Sequence, residues 1–115
     1  MRCLWGPELH RWEVRPLEEV YVNTIRQGRD LLVAVCDAEI LGMTLKGGRT
    51  PFEVSERFYK GTLCCLTEAI EAMGKATIVN MVGVRIVKAA IEYNLVQEAG
   101  IIYLGDVPHA QIVHL

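Results

Sequence analysis

The chain has 115 residues, 51% hydrophobic and 23% charged, with 12 Lys and Arg against 14 Asp and Glu. A chain of this size buries roughly two thirds of its unfolded surface in one domain without disulfide or metal staples, and its apolar content excludes a disordered or low-complexity protein. The longest apolar runs fall far short of the roughly 20 residues of a membrane span, no basic start followed by an apolar stretch marks a secretory signal, and a net charge of -2 excludes a strongly basic nucleic-acid-binding domain, leaving a cytoplasmic protein as the expectation.

Residues 1–19 carry both tryptophans, Trp5 and Trp12, with Pro7 and Pro16, and follow no period. They read as an N-terminal arm laid on the domain surface, or as a start-site artefact ahead of a true beginning at Val20. An intact mass separates the two. A single domain is expected over residues 20–115.

The first half of that domain reads as strands. Residues 20–26 are rich in β-branched and aromatic side chains and lead through Gln27, Gly28, Arg29 and Asp30 into residues 31–36, the pattern of a hairpin with a Gly-containing loop. Asp37, Ala38 and Glu39 make a turn, residues 40–45 a third strand, and residues 46–51 a loop before a fourth strand at 52–55. Connections this short predict an antiparallel meander.

The second half changes to helical spacing. Leu66, Ala69, Ile70 and Met73 fall at i, i+3, i+4 and i+7, with Thr67 placed to cap and Glu68 near the positive end of the helix dipole. Residues 77–82 form a β-branched run favouring a short buried strand. Gly83 opens a second helix whose apolar stripe is Val84, Val87, Ala90, Ile91 and Leu95, and Asn94 is fit to end it in a left-handed conformation. Residues 101–104 read as a last core strand, residues 105–108 as a turn, and residues 109–115 as extended. The expected fold is α+β: an antiparallel meander followed by two helices alternating with short strands, a single sheet layer packed by helices.

Cysteines stand at positions 3, 36, 64 and 65 without C-x-x-C spacing. Cys36 closes an apolar run, and Cys64 and Cys65 open an apolar helix, places where cysteine serves as a small buried hydrophobe. No phosphate-binding glycine motif occurs. Lys46, Gly47, Gly48 and Arg49 offer two cations and backbone N–H groups to an anion, although a Gly-Gly between strands is more often a plain loop. Residues 56–61 combine two cations, Arg57 and Lys60, with two aromatic rings, Phe58 and Tyr59, a cluster that suits phosphate and a stacked base. The alternative is one buried ring with a snorkelling rim. Residues 21–63 hold six cations against five acids, residues 64–115 three against five, so a mildly basic half faces an acidic one. His109 beside Asp106 is the most enzyme-like spot. His109 and His114 alternate to opposite faces of an extended segment, so no metal site is expected from them. Asn80 and Gly83 either shape a strand-to-helix passage, or the segments 58–61, 80–83 and 108–111 converge on one pocket or face with Asn80, His109, Gln111, Tyr59 and Lys60 as its polar set.

Segments 25–28, 35–37, 41–42 and 58–61, the run Ala76-Thr77-Ile78-Val79-Asn80-Met81-Val82-Gly83 and the run Gly105-Asp106-Val107-Pro108-His109-Ala110-Gln111 resemble the archaeal domain-of-unknown-function family 424, over roughly residues 20–112. The resemblance implies a small α+β archaeal cytoplasmic protein. It brings no activity, cofactor or catalytic residue, and associates the chain only loosely with RNA or translation.

Three functional expectations follow from the residues. The leading one is a non-enzymatic module binding RNA or ribosomal and translation components, with Arg26, Arg29, Lys46, Arg49, Arg57 and Lys60 on phosphate and Tyr59 stacking. The second is a small-molecule site or enzyme in which Asn80, Asp106, His109 and Gln111 share a pocket with no cofactor. The third is a homodimeric structural subunit.

Overall fold

Two adjacent strand-forming runs separated by the turn at Gly28 and Arg29 pair with each other. In the structure, a computed structural model that describes residues 19–114, β1 (Val20–Gln27) and β2 (Asp30–Asp37) form an antiparallel hairpin in register from Val20↔Asp37 to Gln27↔Asp30. The arm of residues 1–18 lies outside the described residues. Glu19 is already part of the fold: its N–H donates to the Cys64 carbonyl at 2.9 Å, and its own carbonyl accepts from Ala38 N–H at 2.8 Å.

The expected meander stops after the hairpin. The turn expected at residues 37–39 is there, as a 3-10 turn over Ala38–Ile40, but the chain then leaves the sheet instead of pairing back along β2. Only two-residue strands remain of the third and fourth, β3 (Thr44–Leu45) and β4 (Phe52–Glu53), which pair with each other in a separate small ladder. Ser55 then caps a one-turn helix, α1 (Glu56–Tyr59), its hydroxyl accepting from Phe58 N–H. β5 (Thr62–Cys64) returns to the outer side of β1, so Cys64 lies in a strand and not at a helix start.

The helical half follows the sequence pattern more closely. α2 (Leu66–Gly74) buries Ala69, Ile70 and Met73; Thr67 lies inside its first turn, and Cys65 occupies the cap position. The β-branched run forms β6 (Ile78–Val82), which pairs with β2 in parallel. α3 (Val84–Glu92) follows through Gly83, and Asn94 does end it at φ 61°. Its buried stripe is Ile86, Val87, Ala89 and Ala90, rotated from the expected one so that Val84 is exposed. β7 (Ile102–Leu104) and β8 (Val107–Val113) form a second hairpin, and β8 lies antiparallel to β6.

The result is an α+β fold on one mixed six-stranded sheet, ordered β5-β1-β2-β6-β8-β7. Strand alternation gives it two faces. On one, Val20, Val33, Val35, Val79, Met81 and Ala110 pack against α2 and α3. On the other, Ala34, Cys36, Val82 and Leu104 are covered by Leu45, Val54 and Tyr59 from the β3, β4 and α1 segment. The expected single layer packed by helices therefore describes the first face, and a second, loop-built core covers part of the other. β7 is an edge strand, with Ile102 and Tyr103 exposed, and not the core strand expected.

The tightest joint between the layers lies where β2 meets α3. The Asp37 carboxylate accepts from Arg85 N–H at 2.9 Å and from Ile86 N–H at 3.1 Å, satisfying two donors at the start of α3. Arg85 also bridges outward to Glu19 at 2.8 Å and to Glu39. Among the described residues, no helix is long and apolar enough to cross a membrane.

Candidate functional site

The sheet register decides which polar side chains meet. On the loop-covered face, Asn23, Ala34, Asn80 and Gln111 form one row across β1, β2, β6 and β8. Beside it runs the row Ile25, Leu32, Ile78 and Val113, and on the other side Tyr21, Cys36, Val82 and His109. The β3, β4 and α1 cover meets the third row. The apolar row belongs to neither core cluster, and Val113 is 60% exposed. Among the described residues, this face is thus half covered and half open, with an amide row along the boundary.

At that boundary three residues far apart in sequence converge. Tyr59 Oη donates to Asn80 Oδ1 at 2.5 Å, and His109 Nε2 lies 3.3 Å from the same oxygen. The Nε2-protonated tautomer of His109 is the one that can donate to this oxygen, and it leaves Nδ1 an acceptor. The ring of Phe52 packs on His109 with centroids 5.1 Å apart, and Phe58 meets Tyr59 edge-on at 4.8 Å. Asn23 Nδ2 donates to the Phe58 carbonyl at 2.8 Å, tying α1 to the same row. Burial holds the His109 pKa below its ordinary value, so the ring is neutral near pH 7. Burial, with a smaller effect from Cys36, pushes the Tyr59 phenol well up and keeps it protonated. The Cys36 thiol is pushed up to about 12, chiefly by burial and then by Asp37, which makes it inert as a nucleophile at neutral pH.

The expected pocket of Asn80, Asp106, His109 and Gln111 is brought together only in part. Asn80, His109 and Gln111 share one face, with Gln111 exposed on it. Asp106 does not join them. It lies in the β7–β8 turn and lines a groove against α3 on the opposite side of the sheet. His109 therefore has no carboxylate partner there, and a carboxylate–histidine pair is not formed. Among the described residues, no three His, Cys, Asp or Glu side chains gather as a metal site requires.

The expected phosphate-binding set is also dispersed. Arg26 and Arg29 lie at the exposed β1–β2 hairpin end, Arg26 alternating toward the α2 face. Lys46 and Arg49 sit in the β3–β4 loop, which packs against the β7–β8 turn: a Cβ on Gly47 would fall 2.3 Å from Gly105 N. Arg57 and Lys60, both exposed, flank α1 residues 58 and 59, and the Phe58 carbonyl accepts from Asn23 of the amide row. Tyr59 cannot stack on a base, because it is 2% exposed and its hydroxyl is engaged by Asn80. The half-buried Phe58 is the aromatic ring beside those cations. Sequence reasoning missed Asn23 and Phe52, whose roles depend on pairing across the sheet and on a ring contact between distant segments.

A family model described as "Protein of unknown function (DUF424)" matches residues 25–115, and the chain belongs to this family. A solved structure titled as that of an uncharacterized conserved protein from Methanopyrus kandleri is similar at 27% identity and a TM-score of 0.74, covering 84% of this chain and 92% of that one. No curated protein matches the chain.

Proposed function

For this member of the family, we propose a non-enzymatic cytoplasmic module that takes a short single-stranded RNA segment on the open half of the loop-covered sheet face. The observation that carries the reading is the in-register row Asn23, Asn80 and Gln111 beside the uncovered row Ile25, Leu32, Ile78 and Val113. Amide side chains pair with the edges of unstacked bases, an apolar floor supports base faces, and single-stranded RNA exposes both. Asn80 keeps its Nδ2 for this purpose, since Tyr59 and His109 engage only its oxygen. Arg57 and Lys60 stand where a backbone leaving the amide row would pass, and they are the phosphate contacts. Phe58 replaces Tyr59 as the stacking ring. The pairing of a neutral His109 with Asn80, with no carboxylate partner among the described residues, supports holding the row in place over proton transfer.

The test is fluorescence anisotropy with ten-nucleotide single-stranded RNAs across a salt series. Binding is expected to weaken as salt rises, and the Arg57→Ala/Lys60→Ala double variant is expected to flatten the logarithmic salt slope by about 1.4, the contribution of two contacts to a single strand. Gln111→Ala is expected to change preference among sequences while leaving that slope intact. Absent binding, or equal affinity in the double variant, rejects the reading.

A further inference from the structure

The opposite side of the molecule carries a second surface. β7 is the outer strand of the sheet, and among the described residues no strand lies beyond it. Its pairing with β8 fixes which backbone groups are spare. Gly83 N–H donates to the Pro108 carbonyl at 3.0 Å, so Pro108 turns its backbone acceptor toward β6. Val107 and His109 therefore face β7 and bond to Leu104 and Ile102, their register partners. Tyr103, opposite Pro108, turns its own N–H and carbonyl outward to the free edge. Exposed edges are ordinarily blunted by charge, proline or a bulge. This one is three residues long, carries neither charge nor proline, and shows Ile102 60% exposed on one face and Tyr103 61% exposed on the other.

Beside that edge, between β7, β8 and α3, runs a groove of about 370 Å³. Its apolar floor comes from Val84, Val87, Ile91, Tyr103 and Pro108. Its charged rim holds Glu92, Glu98 and Asp106 against a single cation, Lys88. We propose that β7 and this groove dock an extended segment of a partner protein that carries alternating apolar and basic side chains, adding as a strand to the sheet. Main-chain bonds to Tyr103 set the register, alternate apolar side chains enter the groove, and the acidic rim selects lysine or arginine on the segment. A second copy of this chain fits less well, because two-fold pairing brings two acidic rims together and offers neither the cations it needs.

The probe is a capped, fluorescein-labelled heptapeptide of four valines alternating with three lysines, compared with its glutamate counterpart and with a version bearing proline at the central position. The lysine peptide is expected to bind at least tenfold more tightly than either control. Tyr103→Lys, at a solvent-exposed site, removes the ring from the groove floor and sets a cation against the lysine peptide; it is expected to abolish that binding while leaving the melting temperature unchanged. Glu98→Lys/Asp106→Lys is expected to reverse the preference toward the glutamate peptide. Equal affinity for lysine and glutamate peptides, no binding of any probe, or binding unaffected by Tyr103→Lys overturns the proposal. Sedimentation showing a dimer that Tyr103→Lys converts to monomer assigns the edge to a second copy and overturns it as well. Because the RNA reading uses the opposite face, its failure leaves the peptide, stability and sedimentation readouts interpretable.

Discussion

A methyl group on Gly83 would lie 2.4 Å from Cγ of Asp37. The two residues are 46 apart in sequence, yet the carboxylate that ends β2 occupies the space a side chain would need between β6 and α3. Gly83 also holds φ 129°, a conformation that L side chains rarely adopt. Gly83→Ala is therefore expected to cost at least about 2 kcal/mol, read from the urea midpoint at constant slope.

Asp37 itself acts as the cap of α3 from a distance. Asp37→Ala is expected to cost about 1–2 kcal/mol, because the Arg85 and Ile86 donors lose their acceptor in a buried site. Asp37→Asn keeps one acceptor oxygen and removes a charge that burial already disfavours, as the raised pKa of this carboxyl indicates. The amide variant is expected to lose less than half as much. Equal losses in the two variants would mean that shape, and not the accepted hydrogen bonds, holds the helix start.

Tyr59→Phe keeps the ring against Phe58 and the loop-built core while deleting the hydroxyl that donates to Asn80. The expected loss is about 1 kcal/mol in chemical denaturation. The His109 ring resonances are expected to shift in the same variant, because Asn80 Oδ1 then has His109 as its remaining described donor.

His109 gives the fold a defined pH response. Burial holds its folded-state pKa below the ordinary 6.5, so the unfolded chain takes up the proton first as pH falls. Stability tied to this group is present above about pH 6.5 and is lost as pH drops from there toward the folded-state pKa. The gap in melting temperature between pH 7.5 and pH 5 is expected to narrow in His109→Gln. An unchanged gap would show that other groups set the response.

What the sequence revealed followed the range of the forces involved. The β1–β2 hairpin, the β6 run, α2, α3 and the left-handed stop at Asn94 depend on neighbours within a few residues, and their patterns were legible. The third and fourth strands were not. Residues 40–45 and 52–55 have strand-like composition, but β6, from 40 residues further on, pairs with β2 and takes the place that a meander would give the third strand. The same non-local pairing explains the site. Tyr59, Asn80 and His109 were legible as members of a polar set that could share one face, whereas their meeting on one oxygen depends on register across β6 and β8. Asp106 was grouped with His109 by sequence proximity, and the turn between β7 and β8 separates them.

The parallel pairing of β2 with β6 also imposes an order of assembly. The β1–β2 hairpin closes over a two-residue turn, but β2 must wait some 40 residues for its other partner, and β6 then waits for β8. Until β8 pairs with it, β6 holds Ile78, Val79, Met81 and Val82 along an unpaired edge. A chain truncated between residues 83 and 106 is therefore expected to present an adhesive strand of the kind that chaperones bind. The closing step that removes this hazard also brings His109 to Asn80, so the amide row reaches its final form only when that exposed edge has disappeared.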